Sequence, residues 1–396
     1  MKTQKIAIIY VSPISQNKNI NWSLNTAKSF SSFSKVVQFS VTDKSLSWKS
    51  FFTDPFHFIT LLVDNFSLLT QDFVHWTFFD LFPLERFKTI KRINFNFNLR
   101  IIKYILKLSR RQIILITTSP TNISENIYNI IEPKLTIGDC IDIWSPENSR
   151  IISSFADCLI TNAQNLKNEL KKYHSRVFQI GAGYFPLNII RKIYQKNYYE
   201  RSSKTILYIG NITWRVNLKL INYLLKELPD YKMIMIGRES FENLGYEEWW
   251  NKLNEETKIR WQKLKNNPNL VFIEMFELQD LFRKNIKASV GIVPLDINFD
   301  LNKYTIPIKS YFYFLMGIPI VSTRAEGLYN CGFSKIYFAD NYQQFVNLVK
   351  KAEKVQVSQK EKTKMFNFVR QQTFEKKAQD VKRIIFSELK LKYQQK

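Results

Sequence analysis

The sequence predicts an α/β protein built from two Rossmann-like, doubly wound parallel-sheet domains. Three observations predict it. The chain of 396 residues is too long for one ordinary core. Short apolar runs alternate with helical stretches in two successive series, the pattern of a parallel sheet with crossover helices. A polar, Tyr- and Lys-rich stretch, IIRKIYQKNYYERSSK, separates the series near residues 189–204. With 45% hydrophobic and 15% aromatic residues, both cores can close without disulfides.

KIAIIYVSP opens the chain as a buried strand whose C-terminal edge carries Ser12, where open α/β sheets gather their ligands. VVQFSV, QIILITTSP, LTIGDCID, CLITNA and RVFQIGAG read as later strands, and NISENIYNIIEP and NAQNLKNELKKY as helices. Before them, SWKSFFTDPFHFITLLVDNFSLLTQDFVHWTFFDLFPLERF has more large apolar side chains than a solvated surface needs, and is expected to cover a lipid-facing acceptor site. From Arg86 to Arg111 there is no acidic residue; Arg100, Lys103, Lys107 and Arg110 recur at helical spacing, opposite Ile101, Ile102, Ile105 and Leu108. This basic amphipathic helix is either a packing helix with a solvated face or a membrane-surface element.

The second series restarts with TILYIGNITWRVNLKLINYLLKELPDYKMIMIGRE: strand, glycine turn, helix, Pro-Asp turn, strand, glycine turn. NPNLVFIEMFELQDLFRKNIKASVGIVPL repeats the alternation. Next comes PLDINFDLNKYTIPIKSYFYFLMGIP and the apolar run IVS. Pro307 suits the first turn of a helix, and Gly317 with Pro319 stops it before a buried strand. A helix start beside a sheet edge offers unpaired N–H groups and a positive dipole end; Lys309 adds a full charge, a design suited to a diphosphate. The predicted domains are 1–190, 204–368 and a C-terminal helix at 369–396.

Cys140, Cys158 and Cys331 are few, odd in number and far apart, which argues against a disulfide framework or zinc site and for a reducing compartment. The N-terminal apolar run is too short for a secretory leader, and no segment approaches a membrane span. The formal charge of +24 is shared by both halves and is open to nucleic acid, anionic lipid or small anions. No RNP signature, zinc finger or helix-turn-helix pattern supports nucleic acid. There is no Asp-x-Asp, Cys/His cluster or H-E-x-x-H to hold a metal.

The ordered set Pro307, Lys309, Tyr311, Tyr313, Gly317, Pro319, with ADCLITNAQNLKNEL, the IGN loop, the second IG turn and NLVFIE ahead of it, resembles the GT-B glycosyltransferases of the bacterial group-1/family-4-like superfamily. The resemblance covers most of the chain and is strongest over about residues 155–330. It implies a GT-B fold, two Rossmann-like domains facing an interdomain cleft, with a nucleotide-sugar on the C-terminal domain, an acceptor on the N-terminal domain, and no metal or other cofactor. Donor contacts would fall on Gly210, Asn211, Arg215, Gly237, Arg238, Phe276, Glu277, Tyr304, Thr305 and Lys309. Arg215 is equally readable as a surface arginine, and Glu277 as the cap of the helix that follows.

Retaining members of that superfamily carry two glutamates eight positions apart where this chain has Tyr304 and Phe312. The resemblance is therefore to inverting relatives of the xanthan-pathway membrane-associated glucuronosyltransferase type. An inverting transfer needs a general base. Asp142 is the first candidate and Asp139 the second, either of which also suits a turn or helix cap; His75 and Glu147 follow. Ser12, His75, Arg100, Lys103, Lys107 and Arg110 are assigned to the acceptor or membrane side. The sequence thus points to a cytoplasmic, peripherally membrane-bound glycosyltransferase taking a UDP-sugar to a lipid-linked or polysaccharide acceptor. A non-catalytic sugar- or membrane-binding relative and a nucleotide-sugar epimerase are the alternatives.

Overall fold

All seven side chains of IAIIYVS are buried, as a strand covered on both faces requires, and this run forms the centre of a parallel sheet. The computed structural model describes residues 5–12, 22–40, 52–80, 87–118, 122–141, 145–195, 202–241, 248–274, 286–296, 302, 306–329 and 331–394. Within them the first sheet comprises β1 (Ile6–Ser12), β2 (Lys35–Ser40), β3 (Phe73–His75), β4 (Gln112–Thr117), β5 (Leu135–Cys140), β6 (Cys158–Thr161) and β7 (Val177–Gln179). Their order is β3-β2-β1-β4-β5-β6-β7. The second sheet comprises β8 (Thr205–Ile209), β9 (Lys232–Gly237), β10 (Leu270–Glu274), β11 (Val290–Val293), β12 (Ile320–Thr323) and β13 (Ile336–Ala339), ordered β10-β9-β8-β11-β12-β13. The ladders of both sheets are parallel, and each order reverses beside its first strand, the switch point at which such folds bind ligands.

The chain divides into two compact units. One holds Met1–Asn162, Leu166–Gly183 and Phe374–Lys396; the other holds Ala163–Asn165 and Tyr184–Thr373. The helix Leu187–Gln195 therefore belongs with the second sheet, although the boundaries read from the sequence fell at 190, 204 and 369. The charged run near the C-terminus forms two helices, Gln359–Arg370 and Phe374–Gln394. The break is where the Gln372 carbonyl accepts the Tyr184 N–H at 2.7 Å and Thr373 bridges Phe185, which takes backbone groups away from helix continuation.

In the first unit, Ile102, Ile105 and Leu106 of the basic helix pack with Val37, Phe39 and Trp76 under one sheet face. Each such buried side chain contributes roughly 1.5–3 kcal/mol. Val381 and Ile385 of the last helix cover the opposite face with Tyr10 and Phe30. In the second unit, Tyr313, Phe314 and Leu315 cover one face, and Ile221, Leu224 and Phe345 the other.

Candidate functional site

The helix start foreseen at Pro307 forms as read. Pro307 is the N-cap of the helix Ile308–Met316, and Gly317, at φ 62°, closes it with its N–H on the Tyr313 and Phe314 carbonyls. One turn after Lys309, the Tyr313 hydroxyl accepts the Ile209 N–H at 3.1 Å and faces the carbonyls of Leu207 at 3.1 Å and Ile292 at 2.9 Å. The ring lies flat on Gly291, where a Cβ would sit 2.5 Å from Tyr313 Cγ. This lock fastens the helix across β8 and β11 and so places Lys309 over the end of β8.

There Lys309 Nζ stands 5.2 Å from the Tyr208 ring centroid. A Cβ on Gly210, at φ 141°, would come within 3.2 Å of Lys309 Cε. A Cβ on Gly237 would lie 2.0 Å from the Gly210 carbonyl oxygen, so the loops after β8 and β9 touch backbone to backbone. Ile212 N–H donates to the Arg238 carbonyl at 2.7 Å, and the Tyr208 hydroxyl donates to the Asn211 carbonyl at 3.0 Å. Gly210, Asn211, Gly237 and Lys309 are thereby brought to one sheet edge.

Arg215 Nε donates to Asn302 Oδ1 at 2.8 Å, and Asn302 Nδ2 donates to the Asp296 carbonyl at 2.7 Å. Loss of solvation, followed by the Arg215 charge, pulls the Lys309 ammonium down to about 7. Among the described residues no carboxylate is paired with Lys309. Lys309 and the Arg215 guanidinium are thus electrostatically coupled at a glycine-lined sheet edge and helix N-terminus, where a neighbouring anionic oxygen would favour the charged form of the lysine. Trp214, next to Arg215 in the chain, lines a recess of about 250 Å³ with Asn217, Glu256, Arg260, Asp296 and Tyr342; Lys309 is not part of that lining.

Asp139 has a different setting. It is 3% exposed, and its Oδ2 takes Lys377 Nζ at 2.7 Å. Lys377 Nζ also lies 4.6 Å from the Trp22 ring centroid, and burial together with the Asp139 charge holds the Tyr10 phenol well above its ordinary range. This carboxylate fastens the last helix to β5.

Asp142, Phe276, Glu277, Tyr304 and Thr305 lie outside the described residues. Ser12 is buried in register with Ser40. His75 is half-buried on β3, its Nδ1 against Gln38 Oε1 of β2. Glu147 is exposed in the first turn of the helix Pro146–Phe155. Of the basic row, Arg100, Lys107 and Arg110 are exposed, whereas Lys103 Nζ is held by the Ile130 carbonyl at 2.7 Å and Glu132 at 2.8 Å. Lys103 thus joins two helices and does not face solvent with the others. Sequence reasoning missed Asn302, which carries no signal beyond a polar loop, and Tyr313 as a lock, which reads as one more aromatic of a buried helix. Among the described residues no three His, Cys, Asp or Glu side chains gather as a metal site.

No protein-family model and no curated protein matches the sequence. Solved structures do. Anabaena Alr3699/HepE in complex with UDP and glucose aligns at TM-score 0.62 and 13% identity, over 96% of this chain and 99% of that one. The fold is GT-B. An α,α-trehalose-phosphate synthase (UDP-forming) from Burkholderia xenovorans aligns at TM-score 0.59 and 10% identity, over 95% and 99% of the two chains. A UDP-GlcNAc 2-epimerase from Methanocaldococcus jannaschii aligns at TM-score 0.50 and 11% identity, over 97% and 100%.

Proposed function

We propose that this GT-B chain is a glycosyltransferase that moves a sugar from a nucleoside-diphosphate donor, UDP in the first instance, to a lipid-linked or polysaccharide acceptor. The observation that carries the reading is Lys309, without a carboxylate partner among the described residues and beside Arg215 at a glycine-lined helix N-terminus. These cations would hold the diphosphate and stabilise the negative charge that builds on it as the glycosidic bond breaks, the role a divalent ion has elsewhere; the reaction is proposed to be metal-independent. The UDP complexes among the structural neighbours support the choice of base.

The finer reading is an inverting transfer of the xanthan-pathway glucuronosyltransferase kind, in bacterial surface-polysaccharide synthesis on the inner face of the membrane. Tyr304 and Phe312 at the two retaining-glutamate positions support inversion. Asp142 is the proposed base, because Asp139 is occupied by Lys377. The epimerase among the neighbours keeps a second reading alive, in which the donor sugar is rearranged with no acceptor.

Calorimetric titration with UDP, GDP, CMP and ADP, with and without EDTA, tests the donor site. Binding of UDP unchanged by EDTA supports it; a requirement for metal, or no nucleotide binding, removes it. Incubation with UDP-sugars together with a lipid-linked saccharide acceptor then separates the activities, since transfer to the acceptor releases UDP, whereas the epimerisation leaves the rearranged sugar on its nucleotide and needs no acceptor.

A further inference from the structure

The helix Pro55–Phe66 turns its apolar side outward. Phe56, Ile59, Val63 and Phe66 are 83%, 52%, 62% and 47% exposed, and Phe52, just ahead of the helix, is 78% exposed. Steps of three and four residues place the four helical ones within an arc of about 80° at 3.6 residues per turn. Asp54 and Asp64 fall outside that arc. The helix is fixed in this orientation from behind: buried Asn65 donates Nδ2 to the Thr77 carbonyl at 2.7 Å and accepts the Thr77 N–H at 2.8 Å, and Leu68 is in the core.

The segment that Asn65 holds is also held by the basic helix Lys88–Leu108, whose Asn98 Oδ1 accepts the Trp76 Nε1–H and the Phe79 N–H, each at 3.2 Å. That helix has no acidic residue and exposes Lys91, Arg92, Arg100 and Lys107, with Ile93 and Tyr104 among them. An outward row of phenylalanine and β-branched side chains beside a purely cationic helix matches a bilayer interface with anionic headgroups. A second copy is a poor occupant, because pairing would bring two chains of formal charge +24 together.

We propose that the 52–66 row is the element that seats this chain in the surface of an anionic phospholipid bilayer, with the Lys88–Leu108 helix holding headgroups beside it. This deepens the membrane part of the proposed function and is independent of the donor site. It also reassigns the roles expected from sequence: Ile102 and Ile105 of the basic helix are spent on the core and Lys103 on Glu132, with Leu108 left exposed, so insertion falls to the preceding helix.

The test is flotation with vesicles of phosphatidylcholine, with and without phosphatidylglycerol. The full chain is expected to float with the anionic vesicles, and Phe56→Glu with Val63→Glu to lower partition at least tenfold at both low and high salt. Arg100→Gln with Lys107→Gln should lower it mainly at low salt. Flotation of the Phe56/Val63 variant equal to wild type overturns the proposal. So does a wild-type chain that ignores anionic vesicles, including one that light scattering shows as a dimer the variant dissociates. Circular dichroism and thermal melting of the same variant, expected unchanged, confirm folding of the unit that carries the row; absence of UDP binding in wild type would sink the donor reading alone.

Discussion

Two lysines in the first turns of two helices meet opposite surroundings, one a structural tie and the other the proposed ligand contact. Lys377, at the start of Phe374–Gln394, is in ion contact with Asp139 across a buried gap of 2.7 Å. Lys309, at the start of Ile308–Met316, has glycines, a tyrosine face and a second cation around it, and its ammonium is drawn down to about 7. The two charges share a residue type and a helix position; their partners differ. A desolvated lysine whose carboxylate is supplied by the chain is an anchor, whereas Lys309, with no carboxylate partner among the described residues, is the proposed receptor for an anion from outside.

The comparison breaks most visibly at the anchor. Lys377→Ala leaves Asp139 buried without its cation and should cost about 3–5 kcal/mol of stability. Denaturant unfolding checks this, and Lys377→Met with Asp139→Leu, which removes both charges, should recover much of the loss. Next, Gly237→Ala drives a methyl group into the Gly210 carbonyl, which stands 2.0 Å from the Cβ position. Overpacking of this kind costs about 1–3 kcal/mol, and UDP affinity should fall with it because the Gly210 loop must move.

At the receptor the sign of the stability effect reverses. Lys309→Ala should weaken UDP binding by about 1–3 kcal/mol, the scale of a charge-assisted hydrogen bond, while leaving unfolding unchanged or slightly improved. A further effect, of similar size, is one of pH. The folded-state value of Lys309 lies below its ordinary 10.5, so between about 7 and 10.5 the unfolded chain binds more protons than the folded one. This lysine therefore makes the ligand-free protein more stable as pH rises through that window, and contributes no slope below it. Thermal melts of wild type and Lys309→Met across pH 7 to 9 should differ in slope in that direction.

The fold was largely legible in the chain because parallel strands covered on both faces read as continuous apolar runs, as IAIIYVS and TILYI do. β3 and β13 were not, being FVH and IYFA, too short and too mixed to stand out from their surroundings. The helix start at Pro307 and its stop at Gly317 were legible because capping and helix termination are local chemistry. Asp139 was not: its partner stands 238 residues away, and no spacing rule connects them. The locking role of Tyr313, and Asn302 altogether, were missed for the same reason, since each acts through contacts with distant strands and loops.

Proton uptake on UDP binding tests the receptor claim most directly. Titrating UDP at pH 8 in buffers of different ionisation enthalpy counts the protons taken up, because a diphosphate bound at Lys309 must recharge an ammonium that is mostly neutral in the free protein. The account predicts uptake of the larger part of one proton by wild type and nearly none by Lys309→Met. UDP binding with equal proton uptake in both proteins would contradict it.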